Sequence, residues 1–151
     1  MCKEIQNLLQ SCRKMLVAVG LLCISGVAMA QSITRMRCEY SVRPLCIDVA
    51  APRLTWNFQS KTDWQQCRYC VVVGTDSLQL LSGNSSSMVW ASGVVTSDVS
   101  RAVCRDAGLQ SFKRYFWRVT AWDRRGRKIE SSVEPFETAL MNQADWHAIW
   151  I

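Results

Sequence analysis

The chain has 151 residues, of which 49% are hydrophobic and 20% are charged, and its formal net charge is +6. This length accommodates one ordinary domain with short additions. Disordered chains are depleted in apolar residues, and this sequence has neither that depletion nor a low-complexity tract, so it is expected to fold around one hydrophobic core.

The first thirty residues have the pattern of a secretory signal peptide. Basic residues at positions 3, 13 and 14 precede the apolar stretch MLVAVGLLCI and a run of small residues that ends at Ala30. Signal peptidases accept small residues at this point, so we expect cleavage after Ala30 and a secreted or periplasmic bacterial product. The alternative is a membrane anchor, but the apolar run is shorter than the roughly 20 residues that cross a bilayer. No stable membrane span is therefore expected.

Removal of this leader leaves 15 basic and 11 acidic residues, a net charge of +4. The one cluster of positive charge is RRGRK at 124–128, which surrounds a glycine and is typical of a solvated turn. Nucleic-acid binding requires positive charge gathered on one surface. We therefore expect no nucleic-acid partner.

Five cysteines remain after cleavage, so at least one of them has no disulfide partner within the chain. Cys67 and Cys70 form a C-x-x-C, but the strand-like segment CRYCVVVG directs residues three apart to opposite faces. The chain has a single histidine and no second C-x-x-C, so no metal site is expected. We interpret four of the cysteines as buried apolar residues and leave a disulfide of Cys38 open; the four are Cys46, Cys67, Cys70 and Cys104.

The remaining sequence is a series of short strand patterns separated by turns. In chain order these segments are PRLTWNF, CRYCVVVG, MVWASGVV, SRAVCR, YFWRVTAW, RKIESS and PFET. Between the second and the third, TDSLQLL predicts one helical turn capped by Thr75 or Asp76, and SGNSSS predicts a loop. Seven short strands without an amphipathic helix predict an all-β antiparallel sandwich over residues 31–143.

Four residues are predicted to form the structural core, namely Trp56, Leu109, Tyr115 and Trp117. Leu109 lies six residues before Tyr115, and Trp117 continues the same strand face. This spacing resembles the tyrosine corner of immunoglobulin and fibronectin type III-like sandwiches, in which the tyrosine hydroxyl bonds to the backbone upstream. Trp56 alternates with polar neighbours on an earlier strand, where that fold keeps its core tryptophan.

Two other tryptophans are candidates for sugar binding, because flat aromatic rings can serve as platforms for pyranose rings. Trp64 lies in a polar stretch, and Trp122 faces away from Trp117 on the same strand. Packing under a neighbouring segment is the favoured interpretation of both. The sequence has no Gly-rich phosphate loop and no Ser-His-Asp set, so no catalytic residue, metal ligand or cofactor-binding residue is assigned and no cofactor is expected.

Several segments together resemble a known family. CEY at 38–40, PL-ID at 44–48, PRLTW at 52–56 and the closing W-A-WI are similar to the N-terminal region of bacterial α-L-rhamnosidases of glycoside hydrolase family 78. The resemblance spans residues 33–151. It implies a fibronectin type III-like domain, followed in that family by a second β-domain and by an (α/α)6 barrel that hydrolyses terminal α-L-rhamnosides with inversion. The chain departs from the family at Cys46, where glycine is usual, and in the strand that contains Cys67 and Cys70.

The resemblance implies that residues 144–151, ADWHAIWI, begin a truncated second β-domain and that the chain is a fragment without the catalytic barrel. Its partners would be the downstream domains of a parent glycosidase and a rhamnose-containing glycan. Inverting hydrolysis needs two carboxyl groups roughly 6.5–9.5 Å apart, whereas Glu130, Glu134 and Glu137 are interpreted as surface charge. Two alternatives remain: an independent secreted carbohydrate- or protein-binding module and, least supported, a small enzyme in its own right.

Overall fold

The computed structural model describes residues 31–59 and 63–147. The predicted leader, residues 1–30, lies outside the described residues, as do the last four residues of the predicted second domain, 148–151. The described residues belong to one compact unit that begins at Gln31.

The described residues form short strands in two antiparallel sheets. In chain order the strands are β1 (Ser32–Cys38), β2 (Arg53–Gln59), β3 (Gln66–Gly74), β4 (Met88–Ala91), β5 (Val95–Thr96), β6 (Arg101–Val103), β7 (Arg114–Asp123), β8 (Lys128–Glu130) and β9 (Glu134–Glu137). One sheet has the order β1-β2-β6. The other has the order β4-β3-β7-β8, with β5 also paired to β3 and β9 also paired to β7. The all-β antiparallel architecture predicted from the sequence is confirmed.

The core lies between the inward faces of the strands, which alternate with outward polar residues. Trp56 of β2 is 1% exposed and meets Tyr69 of β3 edge-on, with ring centroids 5.1 Å apart. Trp117 of β7 is also 1% exposed. Burying each large apolar side chain contributes on the order of 1.5–3 kcal/mol, so these rings add several kcal/mol to the hydrophobic stabilisation.

One short helix, α1 (Ser77–Ser82), follows β3. Asp76 caps it, because its carboxylate accepts hydrogen bonds from two backbone amides of the first turn at 2.8 and 3.0 Å. The sequence left the cap open between Thr75 and Asp76, and the structure assigns it to Asp76. Gly83 ends the helix with a left-handed φ of 76°, and a 3-10 turn, Ser85–Ser87, lies in the predicted loop.

The structure adds one strand and divides another. Strand β1 was missed because Ile33 and Met36, both buried, are three positions apart. The register of β1 against β2 shifts between Thr34 and Arg37, and a bulge of this kind disrupts the period-2 pattern. The segment MVWASGVV forms two strands, since Gly93 lies between β4 and β5 with a φ of 64°.

The five described cysteines are all free. Cys38 and Cys104 are buried in the core, whereas Cys67 and Cys70 are half-buried. The interpretation of Cys46 as buried is wrong, because it lies in the exposed loop between β1 and β2 with a left-handed φ of 61°.

Candidate functional site: the exit face

The described chain leaves the sandwich beside the turn that precedes β7. This exit segment, residues 141–147, contains a 3-10 turn, Gln143–Asp145. Together with residues 108–113 it forms a surface that we call the exit face. A depression of about 750 Å³ lies in this face. It is lined by Gly108, Leu109, Gln110, Ser111, Phe112, Asn142, Asp145 and His147.

Tyr115 connects the core to the exit face. Its ring is 2% exposed and stacks on Phe136, with centroids 5.5 Å apart. Its hydroxyl accepts a hydrogen bond from the backbone N–H of Gln110 at 2.8 Å, so the predicted tyrosine corner is confirmed. The buried hydroxyl of Thr138 adds two bonds to the same turn, accepting from the Lys113 N–H at 3.0 Å and donating to the Gln110 carbonyl at 2.6 Å.

Ser111 holds the exit segment against this turn. Its hydroxyl accepts hydrogen bonds from the backbone N–H groups of Met141 and Asn142, at 2.7 and 3.3 Å. The same hydroxyl donates to the Asp145 carboxylate at 2.5 Å. One side chain therefore binds three residues of the exit segment that are 30 or more positions away in sequence.

Two large aromatic residues remain exposed, and each is next in sequence to a member of the Ser111–Asp145 contact. Phe112 is 68% exposed and Trp146 is 53% exposed. Phe112 has a left-handed φ of 54°, and its N–H donates to the Ala139 carbonyl at 3.0 Å. Left-handed backbone costs about 1–2 kcal/mol for a residue with a side chain, and the exposed ring gains little packing in return.

Sequence reasoning did not identify Ser111 or Phe112 as functional residues. A serine in a polar turn carries no signal that it bonds to a distant segment. Phe112 offered a weak signal, because it is the one large apolar residue in the turn between Leu109 and Lys113. Its exposure could not be derived from that signal alone.

The predicted strand at the end of the chain lies mostly outside the described residues. Trp146 and His147 are described, and neither is in a strand. Asp145 belongs to the 3-10 turn instead. The expectation that a second β-domain begins at residue 144 stays a prediction.

The two candidate sugar-binding tryptophans occupy different environments. Trp64 belongs to the core cluster, is 6% exposed and packs on Phe58 with ring centroids 4.6 Å apart. Its face is therefore not available to a sugar ring. Trp122 is half-buried on the outward face of β7, where the guanidinium of Arg68 lies 5.9 Å from its ring centroid. The structure does not bring the two indoles together at one surface.

The acidic residues near the C-terminal strands form ion pairs. Glu134 bonds to Arg43 at 2.7 Å and Glu137 to Arg114 at 2.5 Å. Glu130 pairs with Lys128 at 3.0 Å and with Arg118. The hydrogen bond from Lys128 and the nearby Arg118 hold the pKa of Glu130 below its ordinary value, despite the opposing effect of partial burial.

Two other carboxyl groups are also held in the ionised form. The hydrogen bond from Arg53 lowers the pKa of Glu39, with burial opposing it. Burial by itself would raise the pKa of Asp123, but hydrogen bonds from Arg127 outweigh it and the net pKa is lowered. Within residues 31–59 and 63–147, no group of three or more metal-ligating side chains is gathered.

The basic cluster at 124–128 is a turn with local acidic partners. Arg127 bonds to Asp123 at 2.6 Å, and Arg125 bonds to Asp63 at 3.0 Å. These contacts neutralise part of its charge at short range. Among the described residues, no helix is long and apolar enough to cross a bilayer.

Comparison with known proteins relates this domain to one enzyme family. Residues 33–142 match the model for the Rha78A-like N-terminal immunoglobulin domain. An α-L-rhamnosidase of Streptomyces avermitilis is 38% identical over 125 residues, which cover 81% of this chain and 12% of that protein. An α-L-rhamnosidase of Alteromonas sp. (strain LOR) is 29% identical over 117 residues, covering 75% of this chain and 12% of that protein.

Solved structures show the same relationship. The crystal structure of the Streptomyces avermitilis α-L-rhamnosidase complexed with L-rhamnose aligns with a TM-score of 0.68 and 37% identity, over 79% of this chain and 12% of that one. The α-L-rhamnosidase from Dictyoglumus thermophilum aligns with a TM-score of 0.70 and 29% identity, over 78% of this chain and 13% of that one. The chain thus spans about an eighth of the length of these relatives. It belongs to the family of Rha78A-like N-terminal immunoglobulin domains.

Proposed function

We propose that this chain serves as the non-catalytic N-terminal β-sandwich of an α-L-rhamnosidase that hydrolyses terminal α-L-rhamnosides. The observation that carries the proposal is the family match over residues 33–142, combined with the 12% share that the chain covers of its rhamnosidase relatives. Most of each relative lies beyond the matched region. A rhamnose-containing glycan would then be the substrate of the parent enzyme.

The carboxylates of the domain support a non-catalytic role. An inverting glycosidase needs one carboxylic acid whose raised pKa lets it protonate the leaving oxygen. Glu39, Asp123 and Glu130 instead have lowered pKa values, because arginine or lysine side chains bind their charged forms. Carboxylates held ionised in this way are poor proton donors.

The exit face supports a role in domain packing. The described chain ends at His147, on the rim of the depression, so the polypeptide that follows begins at this surface. The exposed Phe112 lines the depression, and the exposed Trp146 belongs to the exit segment. Interfaces between domains of one chain typically bury roughly 600–1,500 Å², and two such side chains can contribute a substantial part of that area.

We also propose that the protein is exported. The pattern of residues 1–30 supports cleavage after Ala30. N-terminal sequencing of the protein recovered outside the cytoplasm tests this directly. A first residue of Gln31 is expected, and recovery of a product that still begins at Met1 would contradict export by cleavage.

A chimera tests the main proposal. The N-terminal part of the Streptomyces avermitilis enzyme matched by this chain is replaced by residues 31–147, and release of rhamnose from an aryl rhamnoside is measured. We expect the chimera to be active, the same enzyme without any N-terminal domain to be inactive or short-lived, and isolated residues 31–147 to release no rhamnose. Failure of the chimera, or full activity and stability of the deleted enzyme, would contradict the proposal.

An independent glycan-binding module is the second candidate, and the half-exposed Trp122 is the observation that favours it. Titration of rhamnose and of oligosaccharides into the isolated chain would decide between the two. Saturable binding that is lost in Trp122→Ala and retained in Trp146→Ala would favour the module. We expect no such binding, because Arg68 lies over the Trp122 ring.

A further inference from the structure

The backbone of the turn holds Phe112 in an unfavourable conformation with its ring in solvent. A left-handed φ is an outlier for a residue with a bulky side chain. The hydrogen bond from the Phe112 N–H to the Ala139 carbonyl fixes the backbone in this geometry. The ring is 68% exposed, so packing within the described domain does not offset the conformational cost.

Trp146 is exposed on the neighbouring segment, where its backbone is extended and unstrained. Ser111 directly precedes Phe112, and Asp145 directly precedes Trp146. The hydrogen bond from the Ser111 hydroxyl to the Asp145 carboxylate, at 2.5 Å, therefore joins the two segments that contain these aromatic residues. The Trp146 N–H also donates to the Gln143 carbonyl at 3.1 Å. A segment whose backbone is fixed before association loses less conformational freedom when an interface forms.

We propose that Phe112 and Trp146 are the anchor residues of an interdomain interface, and that Ser111 is the positioning residue that fixes the exit segment for it. The occupant is the domain that follows in the same polypeptide. This inference rests on the proposed function, because it names the partner surface through which the N-terminal domain acts. Phe112 and Trp146 enter apolar pockets of that domain, and the polar residues of the depression form the rim.

The position of the exit segment identifies this occupant. His147 lines the depression and is followed by four residues of which three, Ile149, Trp150 and Ile151, are large and apolar. Polypeptide that continues from His147 is delivered to this face at a high effective concentration, whereas a separate molecule is not. A second copy of the chain or a glycan would have to compete with it.

The first test compares two exposed apolar residues within the chimera described above. Phe112→Asn is chosen because asparagine tolerates left-handed backbone. Val94→Asn is the matched control, since Val94 is 63% exposed in the loop between β4 and β5. In isolated residues 31–147, we expect the unfolding temperature of both variants to lie within about 3 °C of the parent's. The reason is that the Phe112 ring and the Val94 methyl groups are both exposed.

In the chimera we expect the two variants to differ in the half-life of rhamnosidase activity. Phe112→Asn should shorten the half-life of rhamnosidase activity at elevated temperature by about tenfold, as removal of an interface anchor does. Val94→Asn should leave the half-life unchanged. Equal half-lives for the two variants in an active chimera would overturn the inference while leaving the proposed function intact. An inactive parent chimera would instead contradict the proposed function.

The second test addresses Ser111 through amide hydrogen exchange in the isolated chain. Ser111→Ala should accelerate exchange of the Met141 and Asn142 amides by about tenfold or more, because both lose their acceptor. Ser111→Thr keeps the hydroxyl and should restore protection. Ser82→Ala is the control, since its exposed hydroxyl donates to the Gln79 carbonyl at 3.0 Å in α1.

Two results, one from amide exchange and one from the chimera, would overturn the role of Ser111. One is unchanged exchange of both amides in Ser111→Ala. The other is an active chimera in which Ser111→Ala has the same half-life as Ser82→Ala. Sedimentation of the isolated chain tests the competing occupant: a dimer that Phe112→Asn converts to a monomer would assign the face to a second copy and overturn the inference.

Discussion

The hydroxyl of Tyr115 accepts a hydrogen bond from the backbone N–H of Gln110 at 2.8 Å, so a buried core residue directly fixes the turn that carries Ser111 and Phe112. Ser111 in turn binds the exit segment. The path from the core to the exit face therefore consists of two hydrogen-bonded side chains. Stability of the sandwich and orientation of the exit segment are linked through it.

Replacing Tyr115 with phenylalanine should lower the free energy of unfolding by about 1–2 kcal/mol. The ring and its packing remain, but the Gln110 amide loses its acceptor. Tyr40→Phe is the control, because Tyr40 is 61% exposed and its hydroxyl accepts from Arg53 at the surface. Urea denaturation of both variants checks this expectation, and equal stability of the two would contradict the role of the tyrosine corner.

Replacing Trp117 with alanine should destabilise the domain by about 3–5 kcal/mol, since a nearly fully buried indole is lost. The matched change Trp146→Ala removes an exposed indole and should cost less than about 0.5 kcal/mol in isolated residues 31–147. Thermal or urea unfolding measures the difference. Unchanged stability of Trp117→Ala would refute the assignment of the inward face of β7.

The core could be predicted because its pattern is local. Trp56 alternates with polar neighbours within its strand, Trp117 shares a strand face with Tyr115, and the spacing of Leu109 and Tyr115 indicates a tyrosine corner. The burial of Trp64 agrees with the favoured packing interpretation, but no strand pattern indicated which segment would cover it. It lies in a polar stretch before β3, and Phe58 of β2 packs against it.

The exit face depends on contacts between distant positions, which a single sequence does not reveal. Ser111 and Asp145 are 34 residues apart and neither belongs to a periodic pattern. Cys46 is exposed in a loop where its backbone is left-handed, a geometry that no sequence pattern indicates. Strand β1 was hidden by its bulge. Each of these features depends on a tertiary contact or on a local irregularity of the backbone, and neither leaves a periodic pattern in the sequence.

Replacing Arg118 with methionine should loosen α1 and lower stability by about 2 kcal/mol. The guanidinium of this buried residue donates to the Leu80 and Leu81 carbonyls at 3.0 and 3.1 Å, and it pairs with Glu130. Methionine retains the apolar stem but leaves the helix carbonyls without this donor. Urea denaturation measures the free energy of unfolding, and amide exchange measures the protection of α1. If Arg118→Met leaves both unchanged, the prediction is wrong.

Arg118→Lys provides the matched comparison for that prediction. Lysine keeps the positive charge, but one ammonium group cannot reproduce the planar fork that reaches two carbonyls and a carboxylate. We expect intermediate stability. Complete rescue by lysine would show that charge alone, and not the guanidinium geometry, holds α1 on the sheet.

The two buried thiols predict a loss of stability in alkaline solution. Burial raises the pKa of Cys104 from 9.0 to about 12, and burial together with the nearby Glu39 and Cys104 does the same for Cys38. Between pH 9 and 12 the unfolded chain releases protons that the native chain retains, so the free energy of unfolding falls as the pH rises. At pH 10 each thiol should contribute a loss of about 1.4 kcal/mol relative to pH 8.

Urea denaturation in the presence of a reductant from pH 8 to pH 10.5 measures this loss. In Cys104→Ala the alkaline loss of stability should shrink by the share of that thiol, and the remainder comes from Cys38 and from Cys70 and Tyr69, whose pKa values burial also raises. Cys46→Ala is the control, because Cys46 is exposed and should leave the pH dependence unchanged. A flat profile for the parent chain would contradict the burial of the two thiols.

The exit face is proposed to pack against the domain that follows. Hydroxyl-radical footprinting of Phe112 and Trp146, first in isolated residues 31–147 and then in the chimera, tests it most directly. Both side chains are exposed in the isolated domain, at 68% and 53%. We predict that their oxidation rates fall about fivefold or more in the chimera, as burial at an interface requires, whereas the rate at exposed Val94 stays the same. Equal oxidation of Phe112 and Trp146 in the two proteins would contradict the claim.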